Sequence, residues 1–204
     1  DKRTVYSCIY READLFEQAI RNQYDLADTE LITDHAQIAS EIQKNMGLTV
    51  RLYEDRQLSL FALYGLTGQI ENALSRRVWL KSGGYLIIEP TEALTVIDVN
   101  TGKAPGKKKE RETFYLQTNK EAAIEAARQL RLRNISGMIL IDFINMENKA
   151  DQESLLAVLK DHLRKDPIQT VFVDLTGLGL VEITRKKTSA SLAEKIGRGR
   201  KGTL

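Results

Sequence analysis

Residues 138–144 read Met-Ile-Leu-Ile-Asp-Phe-Ile, an apolar run broken by one carboxylate, Asp142. The run is far too short to cross a bilayer, which takes about 20 apolar residues. It also lacks the alternation of a strand that faces water on one side. It therefore predicts a central strand with both faces covered, as in an α/β arrangement. Its flanks supply candidate helices. Thr118 and Glu121 form a capping-box pattern that predicts a helix running to about Arg133, with Ala123, Ile124, Ala127 and Leu130 inward. Asp151 opens another, with Leu155, Leu156, Leu159 and Leu163 inward and Pro167 after its end.

The rest of the chain alternates in the same way. Residues 12–24 carry Leu15, Phe16, Ala19 and Ile20 at helical spacing. Leu31–Thr33 and Thr49–Tyr53 predict short strands around a helix that Asp34 caps, with Gln37 completing the box and Gly47 as the stop. Such a strand–helix–strand unit forms a parallel pair. Residues 59–75 predict one helix, weakened by Gly65 and Gly68. Then Arg77–Leu80 and Tyr85–Glu89 flank Ser82-Gly83-Gly84, a hairpin signal. Glu92–Asn100, Thr170–Leu175 and Leu180–Thr184 predict the remaining strands. The economical fold is α/β, a mixed sheet with helices packed on it.

Net charge is only +2, but it is uneven. Lys103, Lys107, Lys108, Lys109 and Arg111 against Glu110 make residues 103–111 +4. Residues 185–201 are +6, and the remainder is −8. Two basic segments on an acidic body suit contact with a polyanion such as nucleic acid, or are solvated mobile segments. Residues 193–204 read as a flexible basic tail. Cys8 is the one cysteine, which excludes an internal disulfide framework and a zinc site built on several thiolates. No secretory leader pattern opens the chain, which begins at Asp1 rather than Met. A fragment of a cytoplasmic protein, with no membrane span, is expected.

Three residues carry chemistry. Asp98 and Asn100 in Ile97-Asp98-Val99-Asn100 share one face, because side chains alternate along a strand. Both precede the turn Thr101-Gly102. Asp142 sits late in its own strand, where a carboxylate needs a donor or a cation. If the two strands are neighbours, the aspartates converge at one sheet edge. Carboxylates with an amide carbonyl suit Mg²⁺, or Mn²⁺, which can activate water against a phosphoryl group. Alternatively each aspartate is a cap or an ion-pair partner, and Glu89, Glu92, Asp174 and Glu182 are further strand carboxylates. His35 and His162 read as structural. No Gly-x-Ser-x-Gly elbow or phosphate-binding Gly-x-x-x-x-Gly-Lys loop is present. Arg128, Arg131 and Arg133 suit either a helix C-terminus or a phosphate path. Lys186 and Lys187 suit RNA contact. Phe114 and Tyr115 can stack on a base, and Phe143 suits the core.

The ordered runs SGGYLIIEPTEALTVIDVNTG (82–102), QTNKEAAIEAARQLRLRNISG (117–137), MILIDFINM (138–146) and GLGLVEITRKKTSASL (177–192) resemble the ribonuclease E/G family. The resemblance covers roughly residues 60–192. It implies a DNase I-like catalytic subdomain over 74–192, preceded by an RNase H-like piece and the end of a sensor region over 1–73. It also implies a Mg²⁺-dependent endoribonuclease that cuts single-stranded RNA and leaves a 5′-phosphate. Asp98 and Asp142 match the metal-binding aspartates and Asn100 the supporting asparagine. By their charge and position, rather than by the resemblance, Lys103, Lys107, Lys108, Lys109, Arg128, Arg131 and Arg133 would guide the RNA backbone.

Departures from the family pattern shape the expectation too. The family arginine that reads the RNA 5′-phosphate falls at Gln169. No cysteine pair follows the last basic motif, so a zinc link between subunits is not expected. The OB-fold domain that usually opens such chains is not expected within residues 1–73. A minimal or truncated catalytic core is expected, able to dimerise through the catalytic subdomain. The other readings are a catalytically weak RNA-binding module that retains the fold, and a phosphohydrolase acting on small substrates.

Overall fold

The computed structural model describes residues 15–21, 29–102, 106 and 108–201. The chain divides into two compact units, 1–67 and 68–204. In the first, α1 (Leu15–Arg21) is followed by β1 (Leu31–Thr33), α2 (Ala36–Met46), β2 (Val50–Leu52) and α3 (Leu60–Leu63). β1 and β2 pair in parallel, with Leu31 opposite Val50, as the strand–helix–strand pattern predicts. Gly47 ends α2 in the left-handed conformation, φ 68°. The expected Asp34–Gln37 box does not form. His35 is the N-cap and gives no side-chain cap, while Gln37 bonds to Glu41 one turn on. The single helix expected over 59–75 is two, because Gly65 at φ 58° separates α3 from α4 (Leu66–Leu74).

Six strands form the sheet of the second unit: β3 (Arg77–Trp79), β4 (Tyr85–Pro90), β5 (Leu94–Asn100), β6 (Gly137–Asp142), β7 (Thr170–Leu175) and β8 (Leu180–Arg185). Their order across the sheet is β3-β4-β5-β6-β8-β7. Only β5 and β6 run parallel, and α5 (Lys108–Leu132) connects them. The class is therefore mixed α/β with a mostly antiparallel sheet, as expected.

Strand alternation sorts the side chains. Leu86, Ile88, Ile97, Val99, Ile139, Ile141, Val181 and Ile183 are buried on one face with residues of α5 and α6 (Lys149–Arg164). α5 presents Ala122, Ala123, Ala126, Ala127 and Leu130, a stripe at 3.6-residue periodicity whose alanines let the helix lie close to the strands. Ile124, expected inward, is one residue out of phase and 42% exposed. α6 contributes Leu155, Leu159 and Leu163 and is capped by Asn148, whose side chain accepts from Ala150 N–H.

The apolar run 138–144 proves to be a central strand with only one buried face. Ile139 and Ile141 are fully buried, whereas Met138 is 53% exposed and Asp142 is exposed. α5 also begins ten residues earlier than the Thr118–Glu121 pattern predicts. Thr118 is a buried mid-helix residue, and its hydroxyl has no partner. Lys108–Gln117 are mostly good helix formers, so the helix extends back through them. At the far end, Leu192–Lys201 is helical (α7) where a flexible tail was expected. Ser191 and Glu194 form a reciprocal capping box at its start, with bonds of 2.7 and 3.2 Å.

Candidate active site

Asp98 and Asn100 lie on the sheet face opposite the core, because Ile97 and Val99, which alternate with them along the strand, are buried. The parallel register sets Asp98 beside Asp142. Adjacent strands are about 4.8 Å apart, so carboxylates from distant parts of the chain share one spot at the strand ends. Asn100 Nδ2 donates to Asp98 Oδ2 at 2.8 Å. That bond orients the carboxylate and leaves the Asn100 carbonyl oxygen available as a further donor to a cation or water. Asp98 and Asn100 are half-buried and Asp142 is exposed.

Three sets of contacts hold these strand ends in place. Buried Asn119 of α5 clamps the backbone just past Asp142. Its Nδ2 donates to Ile144 O at 2.7 Å, and its Oδ1 accepts from Ile144 N–H at 3.0 Å. Glu121, two residues on, accepts from Ser82 N–H at 2.9 Å and so ties the β3–β4 turn to the same helix. That turn lies against the exit of β5. A Cβ on Gly84 would come within 2.7 Å of Asn100 O, and one on Gly102 within 2.6 Å of Gly83 O. Glycine at both positions is thus a packing requirement of the strand end that carries Asn100.

The donors at this spot are all oxygens. Two carboxylates and an amide carbonyl fit a hard divalent cation that keeps several of its waters, Mg²⁺ or Mn²⁺. Among the described residues no group of three or more His, Cys, Asp or Glu side chains could hold a metal. The other strand carboxylates fall in the neighbouring row, where Glu89 is opposite Val96 and Glu182 opposite Leu140. Glu89 pairs with Arg76, and Glu182 and Asp174 face each other across β8 and β7.

The predicted cations divide between the two ends of the sheet. Lys108 stands at the start of α5 and bonds to Glu147 at 3.1 Å, a contact that raises its pKa. Arg111 lies on the next turn, Lys109 is part of the same helix, and Lys103 and Lys107 fall outside the described residues. Arg128, Arg131 and Arg133 are not at this end. Arg133 lies about 20 Å along the helix from Asn119 at 1.5 Å per residue. It is buried, donating to Gln129 Oε1 at 2.6 Å and Ser75 O at 2.7 Å, so it is not an exposed guide for RNA. Arg128 grips Glu125 through bonds of 2.7–3.1 Å, and Arg131 donates to His162 O. Burial raises the Glu125 pKa, but hydrogen bonds from Arg128 and Gln129 outweigh it and hold the carboxyl below its ordinary range. Lys186 and Lys187 are exposed beyond Arg185, which pairs with Gly137 at the opposite end of β6 from Asp142.

The remaining candidates are placed as follows. His162 Nδ1 lies 2.9 Å from Val158 O, one turn back on α6, and His35 is the exposed N-cap of α2. Gln169 is exposed, and its carbonyl accepts from Lys186 N–H. Phe143 is buried in the core, whereas Phe114 and Tyr115 are half-buried neighbours with ring centroids 6.5 Å apart. Cys8 lies outside the described residues. Among those residues no helix is long and apolar enough to cross a membrane.

Comparison with known proteins adds the family. The model of the "Ribonuclease E/G family" matches residues 1–188. Ribonuclease E of Nostoc sp. is 41% identical over 197 residues, covering 92% of this chain and 28% of that protein. Ribonuclease G of Escherichia coli K12 is 41% identical over 194 residues, covering 90% of this chain and 39% of that protein. Ribonuclease G of Haemophilus influenzae is 45% identical over 161 residues, 75% of this chain and 32% of that protein. The chain thus spans well under half the length of these relatives. It belongs to the ribonuclease E/G family.

Proposed function

We propose that this family member carries the cleavage centre of a divalent-metal-dependent endoribonuclease that cuts single-stranded RNA and leaves a 5′-phosphate. The observation that supports this most directly is the register pairing of Asp98 with Asp142, with Asn100 bonded to Asp98 on an open sheet face. Asp98 and Asp142 would hold the cation, Mg²⁺ or Mn²⁺. When bound, such a cation makes water more acidic and offsets charge developing on the phosphoryl oxygens. Asn100 fixes the rotamer of Asp98 through its amide N–H, so that carboxylate needs no reorganisation as the reaction proceeds. Asn119, Glu121 and the two close-packed glycines act at one remove, by fixing the strand ends.

Lys103, Lys107, Lys108, Lys109 and Arg111 follow β5 in the sequence, and would draw the RNA backbone toward the aspartates. A role in RNA processing or decay, a cytoplasmic location and pairing of two chains through the catalytic subdomain belong to the same reading. A chain with a single cysteine suits a reducing compartment.

The test is cleavage of a fluorescent single-stranded RNA by wild type and Asp98→Ala, with Mg²⁺ and with excess chelator. Cleavage by wild type with Mg²⁺ alone is expected. Cleavage that survives Asp98→Ala or the chelator overturns the assignment. A folded wild type that binds RNA without cutting it would instead make the chain an RNA-binding module.

A further inference from the structure

Beside the carboxylates, the open face of the sheet carries an aromatic group that the reaction described above does not use. Register aligns Trp79 of β3 with Tyr85 of β4, and Tyr85 with Asn100 of β5. These three residues form one row across the sheet, next to the row that holds Asp98 and Asp142. The Trp79 and Tyr85 rings meet edge to face, with centroids 5.3 Å apart and planes at 62°. The Arg77 guanidinium lies over both, 4.6 Å from the Tyr85 centroid and 5.5 Å from that of Trp79. Trp79 nevertheless remains 64% exposed, on a strand at the sheet edge.

A large indole left in water is a poor core residue, and its orientation is already fixed by a tyrosine and an arginine. Such a ring can accept another flat π-system with little further loss of conformational freedom. A cation beside it suits a ligand that is aromatic and anionic in alternation. Trp79 is two strand spacings from Asn100, about 10 Å. A ligand strand crossing the carboxylates would pass within reach of it.

We propose that Trp79, braced by Tyr85 and Arg77, is a stacking platform for a base of the single-stranded RNA, next to but not at the scissile phosphate. Arg77 contributes to the neighbouring backbone phosphate. The platform positions substrate and favours an unpaired strand, because a base already stacked in a duplex cannot be offered to the indole. This inference rests on the endoribonuclease reading.

Trp79 is the one tryptophan, so its emission reports the contact directly. With chelator present, a short oligouridylate should quench that emission. An abasic sugar-phosphate oligomer of equal length and charge should not. Trp79→Leu keeps an apolar side chain but removes the stacking surface. It should raise the Kd for oligouridylate, and the KM for cleavage, by about 5- to 150-fold, the span that base–aromatic stacking contributes. Its kcat should stay close to wild type, and Trp79→Phe should recover much of the loss.

Equal quenching by both oligomers overturns the platform. So does an unchanged KM in Trp79→Leu with a wild-type thermal unfolding curve, an outcome that leaves the nuclease reading intact. A change of oligomeric state in Trp79→Leu also overturns it, by assigning the ring to a contact between protein chains. Base-dependent quenching without any cleavage by wild type would keep the stacking contact and overturn the nuclease reading on which its catalytic role rests.

Discussion

At the end of the sheet where β5 and β6 finish, Asp98, Asn100 and Asp142 stand on an open face. At the other end, Asp166 and Arg185 face each other with both side chains only 2% exposed. Arg185 Nε donates to Asp166 Oδ2 at 2.7 Å, and Nη1 donates to Asn134 Oδ1 and Ile135 O at 2.8 and 3.0 Å. Asp166 also accepts from Ile168 N–H and the Thr170 hydroxyl. Burial pushes the Asp166 pKa up, but these bonds and the guanidinium charge outweigh it and hold the carboxyl below its ordinary range. The contrast teaches how to sort charges. A buried charge has lost its hydration and persists only when protein groups replace all of it. A carboxylate at an open strand end keeps its water, which it can exchange for a cation.

The largest expected effect separates the two ends by activity. Asp98→Ala or Asp142→Ala should lower cleavage by about a thousandfold or more, the scale of several kcal/mol of lost charge stabilisation. Both should leave unfolding within about 0.5 kcal/mol of wild type, measured by urea denaturation. Wild-type cleavage by either variant would break the comparison at its functional end.

Next in size is the structural end. Asp166→Ala strands Arg185 in the interior and should cost about 3–5 kcal/mol of stability. Because the folded-state pKa of Asp166 is depressed, its contribution is complete above the unfolded carboxyl value, near 3.9, and is lost as pH falls through the folded value. Acid unfolding of wild type should therefore be steeper than that of Asp166→Ala in that window. Equal profiles would show that other carboxylates carry the acid response.

A smaller effect joins the two properties. Asn119→Ala leaves the Ile144 backbone without its two side-chain partners and should cost about 1–3 kcal/mol. It should also slow cleavage at saturating metal, through misplacement of Asp142. Stability loss with unchanged kcat would make Asn119 purely structural. The smallest effect concerns the basic segment. Replacing Lys107, Lys108 and Lys109 with Ala should weaken RNA binding more at low salt than at high salt. The salt slope should fall by up to about 2, or 0.7 per single-strand phosphate contact removed. An unchanged slope would move the RNA path away from this segment.

Some of this was legible along the chain. Alternation alone puts Asp98 and Asn100 on one face, and Ser82-Gly83-Gly84 marks the hairpin that later braces them. The capping patterns at Asp34 and Thr118 misled, because the same spacing arises inside helices and beside them. At Thr118 the preceding ten residues favour helix strongly enough to carry the N-terminus past it. Arg128, Arg131 and Arg133 could not be sorted, since a guanidinium that guides RNA and one that bonds Gln129 and Ser75 look alike in sequence. Asn119 gave no signal, because its two partners are backbone atoms of a distant residue.

What the amino-acid order determined by itself is local: strand and helix periodicity, and the placing of Asp98 and Asn100 on one strand face. What only the tertiary structure decided is which segments become neighbours. The register that sets Asp98 beside Asp142, the open face that leaves Trp79 exposed, and the partners that bury Arg133 and Arg185 all follow from strand order and helix docking. Short-range rules act over a turn or a pleat. Sheet register is selected by burial of side chains from remote parts of the chain, and so belongs to the whole fold.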